Sequence, residues 1–203
     1  MFAQKSVNFL AHAFLSGSNE EILIGNFVAD SIKGKALETY SLDIQQGVFL
    51  HRAIDNFTDT HPLVMQCNSH IRPHFRKFSG VVTDIYFDHF LAKNWLDYTS
   101  LSLHDFANYV YALLQKNYEI LPPQSKRILP WMMQQNWLEG YANFVVLQKV
   151  FNGMSNRTSF ESGMEKAVEV LHSDYHFFED RFHRFFPELI QFAADYLINQ
   201  KVK

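Results

Sequence analysis

Histidine, aspartate and asparagine recur at helical spacing in four short stretches of this chain. They are NFLAH at residues 8–12, GNFVADSIKG at 25–34, HRAIDNFTD at 51–59 and DIYFDHF at 84–90. They include pairs of polar groups four residues apart, among them Asn26 and Asp30, His51 and Asp55, and Asp84 and Asp88. That separation puts both side chains on one helix face, about a turn apart. Helices that each present such a pair to one centre can build a cation pocket, because imidazole and carboxylate are the usual ligands of Mn, Fe and Zn.

Each group also has a plainer reading. His51 and Asp55 can be a buried imidazole satisfied by its neighbour, although Arg52 and Asp59 enrich the same helix in polar chemistry. Asp84 can complement a helix N-terminus. Asp88 stands among Ile85, Tyr86, Phe87, Phe90 and Leu91. An ionised carboxylate there is costly unless it is paired or metal-bound. Asp30 falls near the end of its helix, where the dipole disfavours an acid, and this points to function. His12 is either a core histidine or a ligand. Pro73 distorts the spacing of His70 and His74, and His172 and His176 read as surface or packing residues. The chain has no HExxH, GxGxxG, Walker or GxSxG motif. Its single cysteine, Cys67, has no evident base beside it.

The elements that must position these groups are helical almost throughout. The pattern predicts helices at about 4–15, 20–32, 41–59, 63–78, 80–97, 102–121, 124–138, 141–152 and 160–185, the last with a break near Ser173. Ser18 or Asn19 caps the second, and Gly34 stops it. His61-Pro62 ends the third, Pro73 interrupts the fourth, and Pro187 opens a final helix to about Gln200. With no internal repeat or linker, the expectation is all-α: a single-domain multi-helix bundle over residues 1–203. The 20 Phe residues are expected to fill its core.

A net charge of −3 argues against a general nucleic-acid binder. One cysteine without a CxxC context suits a reducing, cytoplasmic setting. No apolar run approaches the roughly 20 residues of a membrane span. The N-terminal apolar run is too short for a signal peptide.

Taken in order, the motifs resemble the acyl carrier protein phosphodiesterase family over nearly the full length. The resemblance is carried by NFLAH, GN-x3-D-x3-G, HR-x2-D-x3-D, D-x3-DHF-L followed by Trp95, Gln135-Asn136-Trp137 and NGMSNR at 152–157. It implies an HD-domain-like, all-helical phosphohydrolase. The implied reaction is hydrolysis of the phosphodiester that joins 4′-phosphopantetheine to a serine of holo-acyl carrier protein, with Mn²⁺ the expected metal and Fe, Mg or Zn as alternatives. The chain departs from the usual adjacent His-Asp signature: its doublet is Asp88-His89, and His51 is followed by Arg52. On this resemblance His51, Asp84, Asp88 and His89 are the expected metal ligands. His12, Asp30, Arg52 and Asp55 are the expected catalytic groups, with His89 or His12 as proton donor. Carrier proteins are acidic, so Lys33, Lys35, Arg72, Arg76 and Lys77 are the expected docking residues. A phosphatase or phosphodiesterase of small molecules, or a non-catalytic helical module, would share the same pattern.

Overall fold

The computed structural model describes residues 8–159 and 161–201, and among these every regular element is a helix. The all-α expectation holds. Positions 4–7 of the predicted first helix, and residue 160, lie outside the described residues. The α-helices are α1 (Phe9–Phe14), α2 (Glu20–Val28), α3 (Leu42–Thr60), α4 (Pro62–Phe75), α5 (Ser79–Lys93), α6 (Leu103–Lys116), α7 (Pro123–Gln134), α8 (Trp137–Gly140), α9 (Phe144–Ser155), α10 (Ala167–Ser173) and α11 (Tyr175–Lys201). None is long and apolar enough to cross a membrane.

Local chemistry sets most boundaries. Asn19 Oδ1 accepts from the N–H groups of Glu21 and Ile22 at 2.9 and 3.2 Å, capping α2. Ser41 Oγ accepts from Ile44 N at the start of α3, and donates to Glu21 Oε2 at 2.6 Å, which ties α3 to α2. The end of α2 tightens into a 3-10 turn, Ala29–Ser31, that carries Asp30. Asn136 adopts a left-handed φ of 44° and divides the predicted 124–138 helix into α7 and α8.

Two proline expectations are corrected. Pro73 lies inside α4 near its end without interrupting it, and the chain turns instead at Arg76, whose φ is 50°. Pro187 does not open a helix but sits in the middle of α11. Proline removes one backbone hydrogen bond and costs about 3 kcal/mol inside a helix. Here Pro187 is on the exposed face, while Phe182, Phe185, Phe186 and Leu189 are buried on either side of it. Their shared core face keeps the helix continuous through the proline.

The core is rich in phenylalanine, as expected. Phe182 and Phe186 stack on α11, and Phe87 and Phe90 of α5 meet Phe182. Tyr86, on the same side of α5, is edge-on to Phe178. This slab fixes α5 and α11 as a base on which α1, α2 and α3 are laid. The most extensive helix–helix contact is that of α2 with α3. It depends on two glycines: a Cβ on Gly25 would stand 2.0 Å from Ile44 O, and one on Gly47 would stand 2.2 Å from Ile22 O. The two backbones touch, and this brings Asn26 and His51 within bonding distance.

Candidate metal centre

Four elements meet where α2 crosses α3. His12 comes from α1, Asn26 from α2, Asp30 from the turn after α2, and His51 and Asp55 from α3. The imidazoles of His12 and His51 stack, with centroids 3.9 Å apart and planes 20° apart. Both are buried, at 2 % and 5 % exposure. On one edge of the stack both Nδ1 atoms meet Asn26 Oδ1, at 2.8 and 3.1 Å. On the other edge stand the carboxylates. Asp55 Oδ1 is 3.2 Å from His12 Nε2, and Asp55 Oδ2 is 3.5 Å from His51 Nε2. Asp30 Oδ1 is 3.6 Å from His51 Nε2.

These approaches are close but not aligned as hydrogen bonds. Nε2 of His12 and Nε2 of His51 are both buried without a hydrogen-bond partner. Buried polar atoms are rarely left unmatched, and an exception asks for an ion or another absent group. The ligand atoms of His12, His51 and Asp55 lie within 4.8 Å of one another. Two imidazole nitrogens and a carboxylate are a donor set that suits a divalent transition metal. The residues therefore fit one.

The electrostatics of the site follow from the same geometry. Burial pushes the His12 imidazole below its ordinary value, and the neighbouring His51 pushes it further. Burial alone would lower His51 too, but Asp30 and Asp55 outweigh it and raise that ring. An added proton is thus favoured on His51, the ring that faces both Asp30 and Asp55, over His12.

Of the four expected ligands only His51 joins this group. Asp88 is fully buried, as the apolar surroundings required, but its partners are backbone donors. Leu10 N donates to Oδ2 at 3.0 Å and Ala11 N to Oδ1 at 2.9 Å. The carboxylate serves as an N-cap for α1, supplied from another helix. It sets the position of His12, the next residue after Ala11. His89 points about 100° away from Asp88 around α5. Its Nδ1 is 2.8 Å from Tyr141 O and its Nε2 is 3.1 Å from Tyr175 Oη, so both ring nitrogens are partnered outside the His12–His51 group. Asp84, half-buried on α5, is not in the converging set. His12 and Asp55, expected as catalytic groups, stand beside His51 in the converging set instead. Asp30 lines the same pocket. Arg52 is exposed on α3 beside His51, its guanidinium 5.8 Å above the Phe49 ring.

Lys33 and Lys35 are exposed just beyond Asp30. Arg72, Arg76 and Lys77 are exposed at the end of α4 and in the turn after it, on elements that contribute no side chain to the pocket. Cys67 is buried and its thiol is pushed up to about 12, so no thiolate is present at neutral pH. Asn26, which the sequence paired with Asp30 but gave no role, is the partner of both imidazoles. Its signal was an amide on a wholly buried helix face, one turn before Asp30.

Burial pushes Asp88 up to about 8, against which its two N–H bonds act only partly. An acid whose folded pKa is raised holds its proton after the unfolded chain has released it. Its contribution is complete below about pH 4 and is lost as pH rises through about 8. The urea midpoint of the metal-free protein is therefore expected to fall between about pH 6 and about pH 8, and Asp88→Asn to flatten that fall. Asp88→Ala leaves two helix-start N–H groups unmatched and is expected to cost about 3 kcal/mol. A midpoint unmoved by that change would remove the anchoring role.

The family model described as acyl carrier protein phosphodiesterase matches residues 7–189. A protein of that name from Enterobacter sp. (strain 638) is 30% identical over 185 residues, covering 91% of this chain and 96% of the relative. Its namesake from Serratia proteamaculans (strain 568) is 29% identical over 190 residues, covering 93% and 98%. That from Salmonella agona (strain SL483) is 30% identical over 189 residues, covering 93% and 98%. No solved structure matches significantly. A pocket of stacked imidazoles and carboxylates on an all-helical frame thus coincides with a match along most of the sequence, and the chain belongs to the acyl carrier protein phosphodiesterase family.

Proposed function

We propose that this protein hydrolyses the phosphodiester between 4′-phosphopantetheine and a serine of holo-acyl carrier protein, releasing apo-carrier protein. We further propose that it does so with a divalent ion, Mn²⁺ before Fe, Mg or Zn, held by His12, His51 and Asp55. The reading treats the bundle as HD-domain-like. The observation that carries it is the pair of buried Nε2 atoms without hydrogen bonds, facing Asp55.

The chemistry such an ion supplies when bound is acidification of water and polarisation of a phosphoryl oxygen. The chain's own groups do the rest. Asp30 is half-buried at the edge of the pocket and 3.6 Å from His51 Nε2, where it can accept the proton of the attacking water. The water oxygen bonds to phosphorus, the bond to the serine oxygen breaks, and Asp30 returns the proton to that oxygen. Arg52 offers paired donors to the non-bridging oxygens. The α1–α2–α3 junction keeps the imidazoles dry, and that strengthens every charge interaction beside them.

The test is incubation of holo-carrier protein with the enzyme and Mn²⁺, followed by mass spectrometry of the carrier. Loss of the prosthetic group, abolished by EDTA and restored by Mn²⁺, is the expected result. An unchanged carrier mass overturns the proposal. Turnover of a simple diester with no preference for the holo-carrier would assign a small-molecule phosphodiesterase instead.

Lys33 and Lys35 adjoin Asp30 on the rim and suit an acidic carrier. Reversing both to Glu is expected to raise KM about tenfold, with kcat little changed and the salt dependence flattened. The same reversal at Arg72, Arg76 and Lys77 tests whether docking extends to the end of α4. A salt dependence that neither set alters would move the docking face elsewhere.

A further inference from the structure

Asn26 touches both imidazoles on the edge opposite the carboxylates, and it is fully buried. Its Nδ2 donates to His12 O at 2.9 Å and to Ser16 Oγ at 3.0 Å. Ser16 Oγ in turn donates to His12 O at 2.7 Å. A backbone carbonyl only accepts, so the amide can face it only through Nδ2. The atom left facing the two rings is the amide oxygen, which also only accepts. Each ring must therefore carry its hydrogen on Nδ1, and a neutral ring protonated there has a bare lone pair on Nε2.

The alternative proton position is close at hand. Nε2 of His12 is 3.2 Å from Asp55 Oδ1, and Nε2 of His51 is 3.5 Å from Asp55 Oδ2. Without an acceptor at Nδ1, each ring would be free to carry its hydrogen on Nε2, on the side of Asp55. That would fill the very space between the rings and the acid. One amide oxygen accepting from two rings prevents this in both at once. The close backbone approach of Gly25 to α3 brings that oxygen within reach.

We infer that Asn26 is a positioning residue that holds His12 and His51 together in the Nδ1–H form, so that two Nε2 lone pairs converge on one point beside Asp55. The consequence for metal binding rests on the reading proposed above; the proton placement itself does not. Outer partners of metal-binding histidines fix ring orientation and proton position in this way, and losing one typically weakens metal affinity about 10- to 100-fold.

The experiment has two readouts, neither of them activity. Long-range ¹H–¹⁵N spectra of the histidine-labelled, metal-free protein, taken at a pH alkaline enough for neutral rings, report which nitrogen carries the hydrogen. Titration calorimetry with Mn²⁺ reports affinity. Wild type is expected to show Nδ1–H on both rings. Asn26→Leu is expected to show Nε2–H on at least one ring and to bind Mn²⁺ about 10- to 100-fold more weakly. Asn26→Asp keeps the acceptor but loses both donors to His12 O and Ser16, so it is expected to retain the wild-type proton pattern and most of the affinity. An Nε2–H ring in wild type overturns the inference, as does an Asn26→Asp that loses as much affinity as Asn26→Leu. Nδ1–H on both wild-type rings without Mn²⁺ binding would uphold the proton placement and sink the metal-dependent reading.

Discussion

Asp55→Ala is expected to lower hydrolysis of holo-carrier protein by about 1,000-fold, which corresponds to ~4 kcal/mol of transition-state stabilisation. Asp55 is the acid whose oxygens approach both Nε2 atoms, and it completes the set that would hold a cation. It is half-buried on α3, at 26 % exposure, and lies outside the apolar core. The helical circular dichroism and the urea midpoint should therefore stay near wild type while Mn²⁺ binding falls with activity. Asp55→Asn separates charge from shape, since it keeps the volume and loses the anion. Activity above about a tenth of wild type in Asp55→Ala would be worth less than 1.4 kcal/mol and would remove Asp55 from the centre.

Gly47→Ala is expected to destabilise the protein by more than about 3 kcal/mol, at the upper end of overpacking effects. The added carbon would meet Ile22 O at 2.2 Å and Asn26 N at 2.8 Å, both backbone atoms of α2. No rotamer change relieves a clash with main chain, so the helices must part. Gly25→Ala acts from the other side, against Ile44 O. Parting α2 from α3 also withdraws Asn26 from His51, so any folded remainder should bind metal poorly. Gly80→Ala is the control. Its Cβ would find only Asn68 Nδ2 at 4.0 Å, and alanine in a helix is favoured over glycine by up to about 1 kcal/mol. A Gly47→Ala midpoint equal to that of Gly80→Ala would refute the tight α2–α3 seam.

The sequence made the helices legible through their 3.6-residue periodicity and through caps such as Asn19 and Ser41. It also made His51 and Asp55 legible as a pair, because a four-residue spacing within one helix is local geometry. Asp88 was recognisable as a carboxylate that had to be compensated. Its compensating donors are main-chain N–H groups of α1, and every residue carries one, so composition gives no hint of which will be used. His89, its neighbour, was drawn into the same expectation by proximity in sequence, although successive helical residues diverge by about 100°. His12 and Asp30 come from α1 and the turn after α2, and their approach to Asp55 and His51 of α3 is a tertiary fact. Pro187 misled for a related reason. Its local cost is readable from one residue, but the burial of Phe182, Phe185, Phe186 and Leu189 that overrides it is a property of the assembled core.

The capping of α1 by Asp88 has a consequence for the order in which the molecule is made. The bonds from Leu10 and Ala11 span 78 and 77 positions of sequence. A nascent chain that has emerged only through α3 already contains His12, Asn26, His51 and Asp55, yet lacks the residue that seats the first of them. A six-residue helix has little stability of its own, since isolated helices below about 12 residues are marginal in water. The full set of contacts that seats α1 is therefore complete only after synthesis of α5, and in the finished protein its amides should be among the earlier ones to exchange with deuterium.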